Sequence, residues 1–62
     1  MKPGRLVEIG QRLYGERGWQ ARMAETLKVD GSTVRRWVSG AVPISGPVQV
    51  ALECLFKTWA SR

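Results

Sequence analysis

The segment from Gln20 to Gly40, QARMAETLKVDGSTVRRWVSG, constrains this chain more than any other part of it. It divides into two short apolar periodicities separated by Lys28, Val29 and Asp30. In the first, about 20–27, Met23, Ala24 and Leu27 recur at helical spacing and face inward, with Ala21, Arg22 and Glu25 opposite them. A side chain as small as Ala24 on the inward face lets another helix cross at short distance. In the second, about 31–38, Val34 sets the inward direction. At roughly 100° per residue, Trp37 and Val38 fall within about 60° of it, while Ser32, Arg35, Arg36 and Ser39 take the opposite side. Asp30 stands where a side chain can cap the second helix by accepting from its first free amides.

The flanking segments read as helices too. From about Gly4 to Glu16, Leu6, Ile9 and Leu13 form one stripe with Val7 and Tyr14 beside it. Gly10 inside that stripe costs about 1 kcal/mol of helix propensity relative to Ala, which marks either a close helix approach or a weak spot. Gly15 and Gly18 bracket Glu16 and Arg17 as a short connection. Gly40, Pro43, Gly46 and Pro47 punctuate a loop, after which Ser45 as N-cap and Pro47 in the first turn open a last helix over about 46–59. Its stripe is Val48, Ala51, Leu52, Leu55 and Trp59, widened by Val50, Cys54 and Phe56, which is more apolar surface than one small core needs. Repeats, low-complexity tracts and strand alternation are absent. The expectation is an all-α fold, one domain over residues 1–62, built as a compact bundle of four or five helices.

Composition narrows the function classes. A chain of 62 residues lies near the lower limit for folding alone, with little core to spare for a buried catalytic cleft. Ten Lys+Arg against five Asp+Glu give a net charge of +5, the footprint of a polyanion binder or of a solubilising surface. Residues 1 to 40 hold eight of those basic and four of those acidic side chains. The single Cys54 has no intrachain disulfide partner, and without any His a zinc site lacks a reasonable ligand set. Its apolar surroundings in sequence suggest a buried, inert thiol. No enzyme is expected, because paired carboxylates, His and a phosphate-cradling loop are all missing; nor is a metal, a cofactor or a small-molecule substrate. No run approaches the roughly 18 apolar residues that span a membrane, and MKPGRLVEIG lacks a signal-peptide apolar stretch, so a bacterial cytoplasmic or nucleoid location is expected.

Residues 19 to 40 resemble the Cro/C1-type (XRE-like) helix-turn-helix family of phage and bacterial repressors. The family's Gln at the head of helix 2 matches Gln20, its hydrophobic-Ala pair Met23 and Ala24, and its helix-ending Leu Leu27. In the recognition helix its Thr-Val matches Thr33 and Val34, its buried residue near the end Trp37, and its closing Gly Gly40. The run GPVQVALECL also looks like a segment that follows the helix-turn-helix in some small phage-type repressors, including regulators that accompany anti-CRISPR genes. Two positions depart from the pattern. Lys28 stands where the family usually has a Gly in the left-handed conformation, a strain of roughly 1 kcal/mol. Gly31 replaces what is often a long polar base-contacting residue, so readout there is lost or passes to neighbours.

The resemblance implies a lambda-repressor-like bundle and a repressor that reads double-stranded DNA. Its recognition helix would turn Ser32, Arg35 and Arg36 towards base edges, with Thr33 at the margin. Arg36 points more directly outward than Arg35. Gln20 is placed for a phosphate, and Arg17, Arg22, Lys28 and Ser39 are further phosphate candidates or ordinary solvated groups. A module this small reads a specific site best as a homodimer on an inverted repeat. Phe56 and Trp59 are the candidates for that interface, unless both complete the core. A protein-interaction or RNA-binding module on the same scaffold is the competing class.

Overall fold

The computed structural model describes residues 1–61 and contains four helices, α1 (Pro3–Tyr14), α2 (Trp19–Leu27), α3 (Gly31–Ser39) and α4 (Gly46–Ala60), with no strand among the described residues. α1 opens on Pro3, whose missing N–H is one that a first helical turn leaves unpaired in any case. It ends at Tyr14, short of the expected Glu16, because Gly15 swings to φ 98° while its N–H still closes on the Gln11 carbonyl at 2.8 Å. α2 begins at Trp19, one residue before the expected start, from Gly18 in the left-handed region at φ 73°. α3 runs one residue past Val38 to Ser39, and α4 one past Trp59 to Ala60.

α1 is the element against which the other three pack; α2 and α3 also pack on each other, and α4 rests mainly on α1. The core gathers Leu6 and Ile9 of α1, Trp19, Met23 and Ala24 of α2, Val34 and Trp37 of α3, Ile44 of the following loop and Leu52 of α4. Gly10 is the close-approach position. A Cβ built there would lie under 3 Å from the ring carbons Cε3, Cζ3 and Cδ2 of Trp19. The bare backbone of α1 therefore accommodates the indole at the first turn of α2, a contact only glycine permits. Tyr14 reinforces the pair at its far end, its hydroxyl donating to Thr26 Oγ1 at 2.9 Å.

Several sequence expectations need correction in α4 and at the caps. Leu52 is buried and Val48, Ala51 and Phe56 are half-buried, but Leu55 and Trp59 are 38% and 42% exposed and Val50 is 70% exposed. Cys54, expected to be buried, is exposed. The physical reason is that α4 has essentially one helix, α1, to cover it, so only a narrow strip of its apolar surface finds a partner. Asp30 and Ser45 occupy the N-cap positions, yet neither side chain bonds to its helix. Both are exposed, so water can serve the first amides instead, while their carbonyls accept from Thr33 N–H and Gln49 N–H at 3.0 Å each.

Arg5 fastens α4 to α1. Its guanidinium bonds Glu53 through Nε at 3.0 Å and Nη2 at 3.1 Å, bonds Glu8 at 2.7 Å, and lies 5.1 Å from the centre of the Phe56 ring. Hydrogen bonding from Arg5 lowers the Glu53 pKa below its ordinary value and raises that of Arg5. No helix of the described residues is long and apolar enough to cross a membrane.

Two expectations follow from this packing. Gly10→Ala should lower stability by about 1–3 kcal/mol despite its better helix propensity, since the added methyl overpacks the indole; thermal unfolding measures it, and a gain would mean the contact is loose. A carboxylate with a depressed pKa adds stability that is present above its unfolded value and is lost as the pH falls through the folded one. Stability should therefore decline on acidification below the ordinary 4.5 of Glu53. Glu53→Gln should lessen that decline in unfolding curves taken across the acid range.

Candidate nucleic-acid interface

The turn between α2 and α3 is built by the backbone. Val29 N–H reaches back to the Ala24 carbonyl at 3.0 Å and Lys28 N–H to that of Glu25 at 3.3 Å, the paired bonds of a Schellman ending. That ending requires a left-handed residue, and Lys28 adopts it at φ 60°, ψ 42°, the one non-glycine of the described residues with positive φ. Val29 then folds its half-buried side chain under the turn, and Asp30 leaves it in extended geometry into α3. Three residues thus redirect the chain from one helix into the next. α3 closes the same way, with Ala41 N–H on the Arg36 carbonyl at 3.0 Å and Gly40 at φ 81°.

Val34 and Trp37 anchor α3 in the core, which fixes what it turns outward. Arg35 and Arg36 are exposed, while Ser32 and Thr33 are half-buried at the edges of the face. Gly31 is exposed, has ordinary helical backbone, and a Cβ there would meet open space. Nothing in the fold demands glycine at that position, so its effect is to leave backbone uncovered at the head of α3. Ser39 donates its hydroxyl proton to the Arg36 carbonyl at 3.0 Å, so an incoming anion would have to draw it away.

Of the remaining positions, Arg17 is exposed in the connection before α2, and Gln20 is half-buried at the second residue of that helix, among the amides a helix leaves unpaired. Arg22 and Lys28 come together on one shallow depression with Tyr14, Glu25 and Thr26. Phe56 and Trp59 lie apart from all of these on α4, their rings stacked with centroids 5.7 Å apart. Phe56 is half-buried beneath Arg5, and Trp59 is the more accessible of the two.

Ion pairs are segregated. Among the described residues the ion pairs are Arg5–Glu8, Arg5–Glu53 and Arg12–Glu8, all on α1 and α4. Arg17, Arg22, Lys28, Arg35 and Arg36 join none of them, so the cations around α2 and α3 remain available to an external anion. The described residues hold no cluster of three or more His, Cys, Asp or Glu suited to a metal ion. Sequence reasoning missed Trp19 and Arg5, which orient the helices behind this surface; Gly10 at mid-helix was the available signal for the first. No protein-family model, curated protein or solved structure matches the chain.

Lys28→Gly separates architecture from binding at this surface. Relief of the left-handed strain should raise stability by up to about 1 kcal/mol, read from denaturant unfolding, while removal of the cation weakens attraction to any polyanion. A loss of stability would mean that the lysine stem packs on the turn more than its strain costs.

Proposed function

We propose that this chain is a Cro/C1-type, lambda-repressor-like helix-turn-helix domain that binds double-stranded DNA sequence-specifically and represses transcription, including that of its own gene. The observation that carries the reading is α3, held by buried Val34 and Trp37, with two exposed arginines outside any ion pair on its other side. Helical geometry sets Arg36 about 160° from Val34 and Arg35 about 100° from it. In the proposed complex α3 enters the major groove. Arg36 donates a bidentate pair of hydrogen bonds to guanine O6 and N7, worth about 1–3 kcal/mol of discrimination. Arg35 diverges to the groove wall or a neighbouring phosphate, and Ser32 and Thr33 contact the edges of the same step.

Phosphates on either side receive Gln20, through its backbone amide and side chain at the positive end of α2, and the cations Arg17, Arg22 and Lys28. Ser39 takes a phosphate at the other end of α3 if it releases its internal bond. The bare backbone at Gly31 lets the head of α3 approach the duplex without a side chain of its own. Two copies on an inverted repeat double the readout and occlude a promoter, with Phe56 and Trp59 of α4 as the candidate surface for their pairing. A protein partner would favour exposed apolar anchors on α3, and the arginines argue against that class.

Selection of bound sequences from a random duplex pool at moderate salt should return a palindromic motif with at least one guanine per half-site. Absence of any motif would remove sequence-specific repression. Against the selected site, Arg36→Ala should relax preference at one base per half-site. Arg22→Ala should instead weaken all sequences alike and reduce the salt slope by about 1. Uniform weakening by both would reassign Arg36 to the phosphates.

A further inference from the structure

We infer that Lys28 is an acylation site, its amine taking the acyl group of an acyl phosphate whose phosphate rests on Arg22. Lys28 lines a depression of about 410 Å³ together with Tyr14, Arg22, Glu25 and Thr26. Arg22, Glu25 and Thr26 stand three and four residues apart and so share one face of α2. The left-handed residue that ends the helix adds its side chain to the same hollow. The two hydroxyls are already committed as donors, Tyr14 to Thr26 Oγ1 and Thr26 to the Arg22 carbonyl, each at 2.9 Å. Among the lining side chains, Arg22 and Lys28 are therefore the donors left for an anion, and Glu25 is the carboxylate left for a proton. None of these three joins an ion pair among the described residues.

The chain has three lysines, all exposed, so accessibility alone does not single one out. Lys57 shares a depression with Arg5 and Glu53, but Arg5 is bound to Glu53 and Glu8 and holds a phosphate only by breaking those bonds. Lys2, the N-cap of α1, has that same Arg5 as its nearest arginine along the chain. Lys28 alone has a guanidinium and a carboxylate beside it that are both outside any ion pair. In the reaction Lys28 gives one proton to solvent and attacks the carbonyl carbon of the bound acyl phosphate. The nitrogen–carbon bond forms and the carbon–oxygen bond to phosphate breaks, its electron pair leaving on the phosphate, where Arg22 meets the charge. The second amine proton passes to the Glu25 carboxylate and on to the departing phosphate. The products are a neutral amide and inorganic phosphate, with nothing oxidised or reduced. Acylation thus removes the cation of the turn while the backbone bonds that build the turn stay in place. Weaker binding to every duplex is the consequence. That consequence rests on the DNA reading above, whereas the acylation itself does not.

The test incubates the full chain with acetyl phosphate and follows each lysine by mass spectrometry of its peptides. Lys28 should be acetylated at least about threefold faster than Lys2 or Lys57, which is what one exposed charge contact can supply. The N-hydroxysuccinimide ester of acetic acid, which carries no phosphate, should not reproduce that preference. Arg22→Ala, at an exposed position and with circular dichroism unchanged, should abolish it. Glu25→Gln should slow Lys28 and leave Lys2 and Lys57 as they were. Equal rates at the three lysines with acetyl phosphate, or a preference that survives Arg22→Ala, would overturn the site. A faster Lys28 in Glu25→Gln would overturn the route of the proton. The protein acetylated at Lys28, separated by cation exchange, should bind a random duplex more weakly, with the salt slope reduced by about 1. Selective acetylation with unchanged duplex binding would overturn the regulatory consequence and the phosphate contact of Lys28, while loss of selectivity would leave the DNA reading untouched.

Discussion

The contact of the Trp19 indole with the bare backbone of Gly10 is the constraint on which the arrangement depends. It brings the first turn of α2 onto the middle of α1 closer than any side chain at position 10 would allow. From that seat α2 extends to Lys28, where the left-handed turn can deliver α3 across both helices, with Val34 and Trp37 as its anchors. The direction in which Arg35 and Arg36 point therefore follows from a packing contact made elsewhere, on the N-terminal side of α2. An arginine serves base recognition only when its Cα is held at a fixed distance and orientation to the duplex, and rigid packing behind the helix supplies that.

Ion pairing sets α1 and α4 apart from α2 and α3 among the described residues. Glu8 and Glu53 are committed to Arg5 and Arg12, and the Arg5–Glu53 pair binds α1 to α4, while Lys2 and Lys57 on the same side join no ion pair among the described residues. The pairs are exposed and contribute little to stability individually. The α2–α3 side, from Glu16 to Gly40, holds five cations and three carboxylates, none of them in an ion pair among the described residues. The proposed DNA reading uses those unpaired cations.

The residues of α2 and α3 were legible in the sequence because both helices are amphipathic on a period that one core can satisfy. Met23, Ala24, Val34 and Trp37 are buried as that period requires, and Lys28 takes the left-handed conformation expected where the helix-turn-helix pattern it resembles has glycine. α4 was legible as a helix but not in its facing. An apolar residue at nearly every inward or lateral position carries no information about which strip is covered, and only the tertiary fact that α1 is its main neighbour selects Leu52, Val48 and Phe56. The exposure of Cys54 and Leu55 has the same origin. Trp19 was missed because it stands at a helix boundary, where periodicity has too few residues to speak. The caps were legible as positions but not as bonds, since an exposed Asp30 or Ser45 competes with water for the same amides.

The proposed DNA reading converges on the face formed by α3 and the start of α2. Backbone amide NMR of the labelled protein titrated with a short duplex at low salt tests that face without knowledge of the operator, because phosphate contacts dominate non-specific binding. The account predicts shifts concentrated at Gln20, the Lys28 turn and Gly31 to Gly40, with the Val50–Cys54 side of α4 unchanged. Shifts centred on α4, or no shifts while the protein stays folded, would contradict it.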